Sequence, residues 1–162
     1  MELIEKILSE ENLQKAIRKV KKNKGAPGVD KMTVQEVEEW LNQYKGDLIS
    51  KILNKQYKPM PVKGVYIPKP NGKQRPLGIP TVVDRVIQQA MLQVLSEIYE
   101  PVFSEHSYGF RSNRSAHMAM EEVLSYLNEG YEWIVDLDIE KFFDTVNHDK
   151  LISILRERVN DS

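Results

Sequence analysis

Six prolines fall within residues 57–80: Pro59, Pro61, Pro68, Pro70, Pro76 and Pro80. Proline fixes φ and lacks an N–H, so this stretch cannot be a helix. Val65 and Ile67 lead into Asn71-Gly72, and Leu77 and Ile79 lead out. An Asn-Gly pair between two apolar runs predicts a β-hairpin with a tight turn. Whatever the chain folds into, it must be helical on either side of a hairpin.

Helical signals do flank it. Ser9 predicts an N-cap followed by Glu10 and Glu11, and Leu13, Ala16, Ile17 and Val20 keep helical spacing up to Lys24-Gly25. Gly25-Ala26-Pro27-Gly28-Val29-Asp30 reads as a loop. Thr33 and Glu36 have capping-box spacing, and Val37, Leu41, Tyr44 and Leu48 continue a helix towards Leu53. Beyond the hairpin, Thr81 caps a helix with Val83, Ile87, Ala90, Val94 and Ile98 on one face, stopped by Pro101. A loop over 104–114 precedes a helix from about Ser115 to Leu127. Asn147 caps a last helix with Leu151, Ile154 and Leu155 turned inward.

Between these last two helices lies Trp133-Ile134-Val135-Asp136-Leu137-Asp138-Ile139-Glu140-Lys141-Phe142-Phe143-Asp144. In a strand, residues two apart share a face. Asp136 and Asp138 then stand side by side, with Trp133, Val135 and Leu137 opposite. Two acids on one face of a buried strand repel, and a divalent cation with oxygen ligands relieves that cost. A plain edge strand with a wet acidic end fits the same window.

Charge separates the halves. Residues 1–80 hold 16 Lys/Arg against 9 Asp/Glu, and residues 81–162 hold 7 against 15. A basic lobe suits a polyanion or triphosphate, and an acidic lobe suits metal ions, although a lysine-rich helix can also be a solvated face. Lys15, Arg18, Lys19 and Lys22 share one helical face and are candidates for tracking RNA phosphates. With no cysteine, disulfides and thiolate chemistry are excluded, which fits a reducing compartment. No apolar run reaches membrane-spanning length, and Met1-Glu2-Leu3-Ile4-Glu5 is no secretion signal, so a cytoplasmic location is expected. His106, His117 and His148 show no metal-ligand spacing.

Five motifs in order carry a resemblance. They are Lys24-Gly25-Ala26-Pro27-Gly28-Val29-Asp30; Ile67-Pro68-Lys69-Pro70-Asn71-Gly72-Lys73-Gln74-Arg75-Pro76-Leu77-Gly78-Ile79-Pro80; Asp84-Arg85-Val86-Ile87-Gln88-Gln89-Ala90; His106-Ser107-Tyr108-Gly109-Phe110-Arg111; and Asp136 to Asp144. The chain resembles the N-terminal part of bacterial group II intron-encoded reverse transcriptases, or maturases. The resemblance implies an α+β fold: the fingers and partial palm of a right-hand polymerase, with helices, a β-hairpin and a short antiparallel palm sheet. Residues 1–80 are expected to form a basic fingers region, and residues 81–162 the remaining fingers helices and the first part of the palm.

The resemblance also implies site residues. The family pattern sets a metal-binding aspartate five residues before the aromatic under the incoming sugar, which matches Asp138 and Phe143. Asp138 is then the expected catalytic ligand of two Mg2+ ions, with the backbone carbonyl of Ile139 beside it. Asp136 ranks second. Lys69 and Arg75 on the hairpin are expected to clamp the triphosphate. Arg111 is expected either to bind nucleotide or template phosphate or to tie its loop to the palm. Phe143 is expected either to exclude a 2′-hydroxyl or to pack in the core. The implied partners are an RNA template and intron RNA, a DNA primer and dNTP, with no membrane.

One family motif, Tyr-x-Asp-Asp, which supplies the other aspartates, does not occur in these 162 residues. The chain alone is therefore expected to be inactive. The competing expectation is a non-catalytic module that binds RNA or self-associates, as a homodimer through an exposed palm edge. Retron, CRISPR-associated and diversity-generating reverse transcriptases share the motifs read here.

Overall fold

The computed structural model describes residues 2–68, 70 and 72–159. The chain divides into two compact units, Met1–Ser96 and Glu97–Ser162. The division falls sixteen residues later than the expected 80/81 boundary. Its cause is α4 (Val82–Tyr99), whose buried face packs into the core of the first unit.

The first unit opens with α1 (Leu3–Leu8) and α2 (Glu10–Lys22). Ser9 closes the one and caps the other: its N–H donates to the Lys6 carbonyl, and its hydroxyl accepts from the Asn12 N–H. Leu13, Ala16, Ile17 and Val20 of α2 are buried at the predicted spacing. They meet Val37, Leu41 and Leu48 of α3 (Val37–Leu53) and Val82, Val83, Val86, Ile87, Ala90 and Val94 of α4. Each such valine, leucine or isoleucine side chain, fully buried, contributes about 1.5–3 kcal/mol before entropy is counted. Asn12 pins α2 to α4: its Nδ2 donates to the Ala90 carbonyl at 3.0 Å, and Gln93 donates back to Asn12 Oδ1 at 2.7 Å.

The capping-box spacing at Thr33 is used in a different way. Glu36 accepts from both the N–H and the hydroxyl of Thr33, each at 2.7 Å, and regular helix starts only at Val37.

Asp84 is a buried carboxylate, 3% exposed. It accepts from the Tyr57 hydroxyl, from Thr81 Oγ1 at 2.6 Å and from the Met60 N–H at 3.2 Å. Its own N–H donates to Thr81 Oγ1 at 3.2 Å, which completes the cap of α4. One side chain thus fastens the segment entering the hairpin to the helix leaving it. The price of burying the charge is offset by three donors and the positive end of α4.

The hairpin forms as expected. β1 (Lys63–Pro68) pairs antiparallel with β2 (Gln74–Ile79), with Gly64 opposite Gly78 and Ile67 opposite Arg75. Gly72 at its tip has φ +76°. Asn71 lies outside the described residues.

The second unit contains a 3-10 turn (Glu100–Val102), α5 (Ala116–Asn128), α6 (Phe142–Thr145) and α7 (His148–Arg156). Asn147 caps α7 as predicted, and Ser115 caps α5. The expected palm strand is not formed: residues 131–139 have no regular secondary structure and no ladder partners among the described residues. A strand owes its identity to hydrogen bonds from another strand, and among the described residues the only sheet is the hairpin. No apolar side chain of this unit is buried among the described residues, so the expected inward face of α7 is open, with Leu151 and Ile154 exposed.

Two variants separate close approach from propensity. A Cβ on Gly28 would lie 2.8 Å from Thr81 Cα, whereas one on Gly46, within α3, meets nothing within 4 Å. Gly28→Ala is expected to lower urea-unfolding stability by about 1–3 kcal/mol. Gly46→Ala is expected to raise it by about 0.5–1 kcal/mol. Alkaline titration tests the buried carboxylate. Burial, with Asp84 beside it, pushes the Tyr57 phenol well above its ordinary value. The unfolded chain then releases this proton first, so the stability it contributes is complete below pH ~10 and declines above it. Tyr57→Phe is expected to flatten the fall in melting temperature between about pH 9.5 and 11.

Candidate functional site

Asp136 and Asp138 lie in the irregular stretch before α6, both exposed to solvent. No cluster of three or more carboxylate or imidazole groups forms around them or elsewhere among the described residues. Two carboxylates and a carbonyl still match what Mg2+ takes from protein, since that ion keeps several waters and binds substrate phosphates. Ile139 has its side chain 66% exposed.

A left-handed residue follows. Lys141 has φ +51° and caps α6, and its carbonyl accepts from the N–H groups of Asp144 and Thr145. This sharp turn presents Phe142 and Phe143 edge to face, with ring centroids 5.5 Å apart. Phe143 is 83% exposed, so its ring is not core.

Arg111 is placed differently. Its side chain is only 8% exposed. Nε and Nη2 donate to Glu100 Oε1 at 3.1 and 2.9 Å, Nη1 to the carbonyls of Ser104 and Ser107 at 2.6 and 2.9 Å, and Nη2 to the Glu100 carbonyl at 3.4 Å. All five guanidinium N–H groups are taken. The Phe103 ring covers one face, 5.3 Å from Cζ. These contacts stay within residues 100–111 and leave no donor for a phosphate. Nearby, Glu122 accepts from the Tyr126 hydroxyl at 2.8 Å and raises its pKa, and it also meets His106 Nδ1.

In the first unit, Arg75 stands exposed on β2. Lys69 lies outside the described residues. Lys15, Arg18, Lys19 and Lys22 are exposed along α2 opposite its buried face, and Lys15 pairs with Glu11 at 2.6 Å. Such exposed pairs hold a charge loosely.

Two motifs far apart in sequence meet here. Arg85 Nη2 donates to the Ala26 carbonyl at 2.7 Å, and its guanidinium occupies the space a side chain on Gly25 would need. The glycine loop therefore rests on the first turn of α4. Asp84 and Arg85, side by side, hold two different segments. Sequence reasoning quoted this pair within a motif without giving it a role, and passed over Tyr57. The signal available was the Thr81-x-x-Asp84 spacing of a capping box.

Comparison with known proteins follows the same lines. Residues 67–161 match the family described as reverse transcriptase (RNA-dependent DNA polymerase). The chain is 39% identical over 166 residues to "Protein YkfC" of Escherichia coli strain K12, covering 99% of this chain and 44% of that protein. It is 41% identical over 115 residues to "Group II intron-encoded protein LtrA" of Lactococcus lactis subsp. cremoris, covering 70% of this chain and 19% of that protein. It is 31% identical over 167 residues to "Putative COX1/OXI3 intron 1 protein" of Saccharomyces cerevisiae, covering 95% and 20%. The chain thus spans less than half the length of these relatives.

Removing the Arg111 anchor has a local readout. Arg111→Ala is expected to expose the 103–111 loop to limited proteolysis, leaving cleavage within residues 10–53 unchanged. Arg111→Lys is expected to protect the loop little, because an ammonium cannot reach the same four acceptor atoms.

Proposed function

The chain belongs to the reverse transcriptase family, and from that we propose that it serves as the fingers and first palm segment of a group II intron-type RNA-directed DNA polymerase. The observation that carries the reading is the family match over residues 67–161, which takes in β2 of the hairpin and Asp138. Likeness to intron-encoded relatives favours that lineage over retron, CRISPR-associated or diversity-generating enzymes.

In this reading Asp138, with the Ile139 carbonyl, holds a divalent cation, taken to be Mg2+. Bound there, the ion neutralises charge on the triphosphate and the attacking 3′-hydroxyl. Asp136 adds negative potential two residues away. Lys69 and Arg75 hold triphosphate oxygens, and Phe143 lies against the sugar where a 2′-hydroxyl would project. Arg111 fixes the loop between Glu100 and α5. Lys15, Arg18, Lys19 and Lys22 follow RNA phosphates. Template, intron RNA, primer and dNTP are the partners, and the cytoplasm is the location. No described helix is long and apolar enough to cross a membrane.

The second reading is a non-catalytic module, as the missing Tyr-x-Asp-Asp favours for these 162 residues. Trp133, Val135 and Leu137 are 93%, 82% and 88% exposed, which supports self-association. Primer extension with oligo(dT) on poly(rA) separates the readings. The chain alone is expected to extend nothing. Joined to a palm segment bearing Tyr-x-Asp-Asp, it is expected to polymerise. Asp138→Asn is then expected to cost more than about 10²-fold, beyond the loss of an outer-shell partner, and Asp136→Asn less. Full activity in Asp138→Asn would overturn the assignment.

A further inference from the structure

A cleft of about 530 Å³ opens on the first unit, between α3, the segment leading to the hairpin, and the start of α4. That volume falls within the ~300–1,000 Å³ of small-ligand sites. None of the site residues read from the motifs lines it. On one wall Trp40 and Tyr44, a turn apart on α3, stand with ring centroids 5.2 Å apart and planes tilted by 38°. Trp40 is half-buried against the core, so its plane is fixed, while Tyr44 is 42% exposed. Neither the indole N–H nor the Tyr44 hydroxyl bonds to a group among the described residues.

Charge surrounds the rings. Lys51 and Lys58 are exposed lining residues; Lys51 is held only by Asp47, at 2.7 Å in an exposed pair, and Lys58 has no ion-pair partner among the described residues. Asp30 and Asp47 add carboxylates able to accept from an exocyclic amine. The base of the cleft is rigid, because Tyr57, Thr81 and Asp84 are bonded to one another there.

Rigid aromatic faces with free donors and flanking lysines form a stacking platform. We propose that this cleft takes one unstacked nucleobase of a single-stranded nucleic acid, its ring against Trp40 and Tyr44 and its phosphates against Lys51 and Lys58. An apolar peptide would need a groove free of four charged groups. The proposal rests on the polymerase reading for its ligand class, yet uses residues apart from the Asp138 segment.

The chain has two tryptophans, so Trp133→Phe leaves Trp40 as the sole indole reporter. Trp133 is almost fully exposed, so the change costs little packing. Short oligo(rA) and an abasic oligomer of equal length are titrated at low salt, following Trp40 emission and, separately, anisotropy of a labelled strand. Expected is quenching of Trp40 by oligo(rA) and none by the abasic strand. Tyr44→Ala is expected to weaken oligo(rA) binding by about 5–100-fold, the span of one lost base–aromatic stack, with unchanged far-ultraviolet circular dichroism. Equal quenching by both strands would overturn the proposal in favour of phosphate contacts alone. Binding seen by anisotropy without any change at Trp40 would also overturn it, while sparing RNA binding through α2. If neither strand binds, adenosine monophosphate is the probe: quenching of Trp40 upholds the cleft, and its absence ends it. Primer extension by the joined polypeptide is read independently, so loss of the cleft and loss of the polymerase reading give different results.

Discussion

The carboxylate of Asp84 is the point on which the first unit turns. A buried charge survives only when its solvation is replaced, and each lost donor costs about 1–3 kcal/mol or more. Here the replacement comes from Tyr57, Met60 and Thr81, three points along one stretch of chain. The prolines of that stretch rule out a helix, and they also deprive it of the N–H groups that would anchor it to a sheet. Asp84 supplies the anchoring that the backbone cannot. The hairpin is otherwise an exposed two-stranded ribbon, marginal by itself. Its root is held because both ends reach this one carboxylate: the incoming chain through Tyr57 and Met60, the outgoing chain through Thr81.

Arg85, the next residue, does for the glycine loop what Asp84 does for the hairpin. A helix places successive residues about 100° apart, so neighbours point to different segments. Asp84 faces the hairpin root, and Arg85 faces Ala26. Gly28 permits backbone contact with Thr81, and Gly25 leaves room for the guanidinium. Two motifs separated by more than fifty residues are thus one contact in space, which is a reason for both to keep those residue types.

Local signals were the readable ones. The caps at Ser9 and Asn147, the buried stripe of α2 and the hairpin all rest on interactions within a few residues. α1 escaped notice because six residues carry too little periodicity, and because its stop signal, Ser9, is also the start of α2. The two compact units part within α4, a helix whose first four turns are core and whose last is not. The strand over 131–139 was read from alternation, which describes faces but not partners. Arg111 was open between two roles, since an arginine that binds phosphate and one that binds carbonyls have the same sequence appearance. Its four acceptors became visible only in three dimensions.

The two units differ in how they satisfy their apolar residues, and this bears on the acids. In the first, valines and leucines from three helices close on each other. In the second, Trp133, Val135, Leu137 and Phe143 stay in solvent beside Asp136 and Asp138. Exposed carboxylates two residues apart repel weakly, because water screens them. Pairing this segment into a sheet would bury the apolar face and move both acids into a lower dielectric, where their repulsion grows. A divalent cation would then offset a cost that does not exist in the open segment. On the proposed reading strand pairing and cation binding would be linked: each would make the other more favourable, and neither has much to gain alone. The acid-tipped alternation so prominent in the sequence would then be one half of that coupled arrangement.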